Sequence, residues 1–236
     1  MPLVLLTPIG LEAGCWEGVD LPEGPVFKHV WPGFGRRPRA TPPPTMASLA
    51  DEVTASYEGP LDVVGVSMGG MVAQHLGLRH PARIRSLLVA CTGAAVDRQM
   101  MLARAADAER GGMEEVLETT LKRWFTPAAL ARQPLPPGVA YARRTLLALD
   151  PGSFADGWRA IAGHDVGDRL ADIGAPTTCV AGSEDAASPI ARTRAVAEGV
   201  PNARFTVLDG PHMIHLENPT GFSGALQEHL RWVGAG

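Results

Sequence analysis

Apolar residues along this chain gather into short, nearly continuous runs separated by longer stretches of helical periodicity. Six runs, Leu3–Thr7, Val26–Trp31, Leu61–Val66, Ser86–Cys91, Thr177–Ala181 and Arg204–Leu208, read as strands. Most show little alternation, as expected of parallel strands covered on both faces. Helical patterns at Thr45–Tyr57, Ser67–Arg79, Pro189–Glu198 and Pro219–Val233 lie between or after them. Tyr57-Glu58-Gly59-Pro60 and His80-Pro81 act as helix stops ahead of strands. The alternation predicts an α/β fold built on a mostly parallel, doubly wound sheet of about six strands.

One segment breaks the alternation. Between Asp97 and about Gly163 the pattern is helical throughout, with helices expected at Asp97–Arg110, Met113–Trp124, Gly138–Leu149 and Ser153–Ala162. Pro127, Pro134-Leu135-Pro136-Pro137 and Pro151 punctuate them. An all-helical insertion after the fourth strand sits over the carboxyl ends of the strands, where open α/β sheets bind ligands. The expected organisation is a core of residues 1–96 and 164–236 with a helical cap at 97–163. Met100, Met101, Met113, Trp124, Phe125, Phe154 and Trp158 supply apolar surface for the cap's roof or for its own packing. Arg36–Pro44 is proline-rich and reads as a surface loop.

Composition narrows the class. The chain has 236 residues, 45% hydrophobic and 19% charged, with a net charge of −4. That length suits one α/β domain, and the scattered arginines and negative balance argue against a nucleic-acid surface. No run approaches the ~20 apolar residues of a membrane span. Met1–Thr7 is too short for a signal segment. Cys15, Cys91 and Cys179 are odd in number and far apart, which favours reduced thiols in a cytoplasmic protein over disulfides or a zinc site. The histidines lack ligand spacing, so no metal is expected.

The chemistry centres on Gly65-Val66-Ser67-Met68-Gly69-Gly70, between a predicted strand and a predicted helix. A G-x-S-x-G there places the serine on a strained turn with its hydroxyl pushed out of the sheet. Gly65 and Gly69 are small because a Cβ at either would meet the neighbouring strand or helix. The Met68 N–H, at the helix start, points towards a developing oxyanion. A serine needs a base within reach, and in this arrangement the acid and then the histidine follow on loops after later strands. Asp185 and His212 stand in those loops. Glu184 competes with Asp185 but has the longer side chain; His215 competes with His212 but lies further from the strand end. His29, His75, His80 and His229 read as packed or solvated, and His164 has no assigned role. A second oxyanion donor is expected from Thr7-Pro8-Ile9-Gly10; proline offers no N–H, which leaves Ile9 or Gly10, with Ile9 preferred. Trp16 reads as a packing residue at the return of that loop.

With these pieces in place, the chain resembles the α/β-hydrolase superfamily along nearly its whole length. Within it, the chain is most similar to the 3-oxoadipate enol-lactonases. The similarity is carried by Gly65–Met71, by Gly111-Gly112-Met113 with Leu121-Lys122-Arg123-Trp124-Phe125-Thr126-Pro127, and by Gly182, Asp185, Pro189, His212 and Leu216-Glu217-Asn218-Pro219. Lining up Thr7-Pro8-Ile9-Gly10 with the family's loop puts Ile9 at the oxyanion position. Two features depart from the family. The N-terminal hairpin is missing, and Trp31–Pro38 stands where Asp-x-Arg-Gly-x-Gly is more common.

The resemblance implies hydrolysis of a small ester or lactone by water, through an acyl-serine and without a cofactor. A substrate carboxylate would need a cation, for which Arg104, Arg110, Arg123 and Arg143 are candidates, and Trp124 and Arg123 are expected at the substrate. The alternatives are a C–C bond hydrolase, a cofactor-free haloperoxidase-like enzyme, or a non-catalytic ligand-binding fold. The complete Ser67, Asp185 and His212 set argues against the last. A homodimer is compatible with the sequence.

Overall fold

The computed structural model describes residues 1–234. Six strands form one sheet: β1 Leu3–Leu6, β2 Val26–His29, β3 Leu61–Val66, β4 Ile84–Ala90, β5 Thr177–Gly182 and β6 Ala203–Leu208. Their order is β2-β1-β3-β4-β5-β6, and every neighbouring pair is parallel. β1, β3 and β5 are buried at every position, which is why their sequences carry no polar alternation. The edge strands β2 and β6 are mixed, with Phe27 and Lys28 exposed on β2.

The main departures from the sequence reading are at strand ends. β1 stops at Leu6 and β2 at His29, because Trp31 leaves the ladder to donate its indole N–H to the Thr7 carbonyl at 2.9 Å. β4 starts two residues earlier than expected and ends at Ala90; Cys91 turns out of the strand with φ of 51°.

Helices α1 Met46–Ser56 and α2 Met68–Arg79 pack on each other, and α2 packs on β1, β3 and β4. Thr45 and Ser48 form a reciprocal capping box at the start of α1. The segment between β4 and β5 holds no strand and four α-helices, α3 Arg98–Trp124, α4 Pro127–Ala131, α5 Pro137–Leu147 and α6 Pro151–Ala162, followed by a 3-10 turn at Gly167–Asp172. The two helices expected across 97–124 are both present within α3 and meet at Gly112, whose φ of 73° only glycine adopts without strain. Asp97 caps α3 and Asp150 caps α6 through the N–H groups of Met100 and Ser153. α4 was not expected. Thr126 caps it and Pro127 opens it, a sequence signal that was available. At the base of the segment an antiparallel bridge joins Ala95 to Asp165, so its two ends leave the core side by side.

Three helices follow: α7 Ile190–Gly199, α8 Ile214–Glu217 and α9 Pro219–Gly234. A buried polar line pins α9 to the sheet. Ser86 Oγ donates to Asp62, which forces it to accept from His229 Nε2 at 3.0 Å; His229 Nδ1 then accepts from Thr178 Oγ1 at 2.8 Å. That pattern fixes His229 as the neutral Nε2–H tautomer, in line with a pKa pushed down to about 4 by burial.

Candidate active site

Ser67 sits between β3 and α2 with φ of 55° and ψ of −116°, a left-handed backbone for a residue with a side chain. Such a conformation costs about 1–3 kcal/mol and persists only when its surroundings enforce it. The enforcement comes from two glycines. A Cβ on Gly65 would overlap the Gly69 carbonyl, and a Cβ on Gly69 would overlap the Leu6 carbonyl of β1. Helix and sheet are therefore in backbone contact on both sides of the serine.

The loops after β5 and β6 carry the other two expected residues to it. Ser67 Oγ lies 2.9 Å from His212 Nε2, and His212 Nδ1 lies 3.0 and 2.9 Å from the two Asp185 oxygens. Asp185 accepts only, so Nδ1 carries the proton and Nε2 is free to accept from the serine hydroxyl. Asp185 also accepts the N–H groups of Ala187 at 2.9 Å and Ser188 at 2.7 Å. All three side chains are buried. The competitors lie elsewhere. Glu184 is exposed. His215 is in α8, packed 4.9 Å from Trp16, with neither ring nitrogen hydrogen-bonded. Burial pushes it down to about 3, with His212 adding to the effect.

The backbone N–H groups of Met68 and Ile9 have no protein acceptor among the described residues. Met68 opens α2, and Ile9 lines the same cleft as Ser67 and His212. His164 stands one step behind this cleft. It donates from Nε2 to the Gly93 carbonyl at 2.9 Å, so its Nδ1 accepts from His75 at 3.3 Å. Cys91 Sγ, Asp185 and His212 bring ligand-type atoms within 4.8 Å of one another. Burial, then Asp185, hold the Cys91 thiol well above its ordinary range, so it stays protonated.

The cleft beside Ser67 is small, about 50 Å³. Of the expected roof residues, Met101, Trp124 and Trp158 line it; Met113, Phe125 and Phe154 are buried away from it, and Met100 is exposed. Of the four candidate arginines, Arg104 and Arg123 line it. Arg110 pairs with Asp107 and Arg143 with Glu118 on the surface. Arg192, in the first turn of α7, also lines the cleft and was missed by sequence reasoning. Its position just after the acid loop was the available signal. A larger groove of about 940 Å³ runs past Glu17, Tyr141, Arg144 and His215, but it contains none of Ser67, Asp185 and His212.

A six-stranded parallel sheet with helices packed against it and a serine on a left-handed turn after the third strand define the α/β-hydrolase class. The chain belongs to the alpha/beta hydrolase family, whose model matches residues 3–225. It is 29% identical to 3-oxoadipate enol-lactonase 2 of Acinetobacter baylyi over 168 residues, which cover 71% of this chain and 62% of that relative. It is 32% identical over 221 residues to a pimeloyl-[acyl-carrier protein] methyl ester esterase of Chromobacterium violaceum, covering 84% and 81% of the two chains. The enol-lactonase structure from Burkholderia xenovorans superposes with a TM-score of 0.91 at 25% identity, covering 98% of this chain and 91% of the other. Among the described residues no helix is long and apolar enough to cross a membrane.

Proposed function

We propose that this chain is a serine hydrolase that cleaves a small carboxylic ester or lactone through an acyl-serine intermediate. The observation that carries the reading is the unbroken hydrogen-bonded line from Ser67 through His212 to Asp185. In this reading Ser67 Oγ attacks the substrate carbonyl as His212 Nε2 takes its proton. Asp185 holds the imidazole tautomer and stabilises the imidazolium. The oxyanion forms between the N–H groups of Met68 and Ile9. Collapse expels the alkoxide, which leaves as the alcohol with the proton from His212; from a lactone it stays attached to the acyl group. Water, deprotonated by His212, then releases the acid and regenerates Ser67. Residues 97–163 cap the core of residues 1–96 and 164–236, and Trp124 and Arg123 bring the cap to the substrate.

The enol-lactonase and methyl ester esterase relatives support carboxylic ester chemistry, and a cleft of about 50 Å³ suits a small acyl group. Turnover of p-nitrophenyl acetate, together with fluorophosphonate labelling at Ser67, tests the proposal. A protein that hydrolyses no short ester and takes no label at Ser67 is not this enzyme.

A further inference from the structure

The geometry points to a metal site at Cys91, Asp185 and His212, fitted to a thiophilic divalent cation such as zinc or cadmium, whose occupation switches the hydrolase off. The effect on turnover rests on Ser67 being the nucleophile; the site itself does not. The Cys91 sulfur, a carboxylate oxygen of Asp185 and a ring nitrogen of His212 all lie within 4.8 Å of one another, and all three side chains are buried. Among the described residues no other group of His, Cys, Asp and Glu side chains comes together in this way. Three separate strands deliver them: Cys91 follows β4, Asp185 follows β5 and His212 follows β6. Cys91 turns out of β4 with a φ of 51° and brings its sulfur to 3.9 Å from the carbonyl of Pro211, the residue before His212. Cys91 and His212 also line the cleft that contains Ser67, which gives an ion its way in.

A thiolate, an imidazole and a carboxylate are ordinary zinc donors, and around a tetrahedral ion such atoms stand about 3.3–3.6 Å apart. His212 Nδ1 is 2.9 Å from Asp185, with the sulfur close to both, so small adjustments separate the three groups from a ligand triangle. Water from the cleft takes the fourth position. The charge balance selects a divalent ion. Without metal, burial and then Asp185 keep the Cys91 thiol protonated, although the backbone N–H groups of Gly182 and Ile214 face the sulfur and ease its ionisation. A bound dication drives the thiol proton off to solvent. Thiolate and carboxylate then cancel its charge, and the buried cluster is neutral. Magnesium and calcium prefer oxygen ligands and gain nothing from the sulfur.

The same ion disables the base. A neutral imidazole has one N–H, and coordination through Nδ1 leaves that proton on Nε2. Nε2 lies 2.9 Å from Ser67 Oγ and would then donate to it instead of accepting from it. The serine keeps its proton, and attack on a carbonyl stops without any group of the site being lost.

The test adds zinc chloride or cadmium chloride to chelator-treated protein, with magnesium chloride as the control. Cadmium should produce a thiolate-to-metal charge-transfer absorption in the ultraviolet, in the wild type and equally in Ser67→Ala, because Ser67 is not a ligand. The band should be absent from Cys91→Ala and from Cys91→Ser, the second variant serving if the first fails to fold. Cys15→Ser and Cys179→Ser should keep it, since both sulfurs are buried outside this group. Zinc should inhibit p-nitrophenyl acetate turnover at concentrations where magnesium does not. Each Cys91 variant, measured against its own metal-free rate, should need about tenfold more zinc or beyond for half-inhibition. No band in the wild type, or a band that survives both Cys91 substitutions, overturns the site. Zinc inhibition that is absent, or equal in wild type and Cys91 variants, overturns its control of turnover. A Cys91-dependent band in a protein that turns over no ester and takes no label at Ser67 keeps the metal site and removes the hydrolase reading.

Discussion

The N–H of Met213 donates to the carbonyl of Trp124 at 3.0 Å, tying the residue after His212 to the last residue of α3. A second tie lies beside it. Glu217 of α8 accepts both the N–H of Thr126, at 3.1 Å, and its hydroxyl, at 2.5 Å. The loop that presents the histidine is therefore held by the helical segment as well as by the sheet.

Glu217→Ala removes the second tie and leaves the N–H of Thr126 without its acceptor. Loss of two charge-assisted bonds at a partly buried position should cost about 1–3 kcal/mol in urea unfolding. His212 is then held less firmly against Ser67, so kcat for p-nitrophenyl acetate should fall more than KM rises. Unchanged stability and unchanged kcat would mean that the tie does not support the histidine loop.

Ser67→Ala and His212→Ala should each lower kcat by about a thousandfold or more, and the double variant should be little worse, because the groups act as one unit. Asp185→Asn should come close to them, since an amide that donates to Nδ1 favours the wrong tautomer. Glu184→Gln should leave the rate unchanged, because Glu184 lies exposed on the same loop. Full activity in Asp185→Asn together with collapse in Glu184→Gln would reverse the assignment of the acid.

Two glycine substitutions should move stability in opposite directions. Gly69→Ala sets a methyl group against the Leu6 carbonyl, backbone against Cβ, with no flexible side chain to give way. It should destabilise by about 3 kcal/mol or more and displace Ser67, with activity lost in the folded fraction. Gly224→Ala lies in α9 with open space around the added Cβ and should stabilise by about 0.5–1 kcal/mol. Thermal or urea unfolding of the two variants side by side gives both signs, and a folded, fully active Gly69→Ala protein would defeat the account of the turn.

Much of this was legible in the chain because the relevant signals are local. Continuous apolar runs mark β1, β3 and β5, since both faces of those strands are covered. Gly65, Ser67 and Gly69 sit at a fixed spacing that one turn geometry demands, and the acid and histidine follow strands whose ends all lie at one edge of the sheet. What sequence left open depends on direction. Arg104, Arg110 and Arg123 all lie on α3, but the break at Gly112 resets the helical phase between the first two and the third, so periodicity cannot say which of them face the cleft. Arg192 lies in a helix outside the 97–163 segment in which cations were sought, and its sequence carries no sign of which way it faces. The short helix α8 was missed because four residues carry no period of their own, and it is held in part by a neighbour distant in sequence, Trp16, which packs on His215.

Buried histidines should make the fold acid-sensitive. Burial holds His75 and His229 down to about 4 and His215 down to about 3. In the unfolded chain each binds a proton near pH 6.5. Between about pH 6.5 and 4 the unfolded state therefore carries more protons, and stability falls as the pH falls, by up to roughly 1.4 kcal/mol per pH unit for each such histidine. Above about pH 6.5 these groups are neutral in both states, and their contribution is fully present. His215 isolates one of the three, because its two ring nitrogens make no hydrogen bond that a substitution would break. His215→Leu should leave stability at pH 7.5 unchanged or higher. It should also flatten the decline between pH 6.5 and 4.5 by about one histidine's share. Urea unfolding across that range in both proteins measures the difference, and identical slopes would show that His215 does not titrate on unfolding.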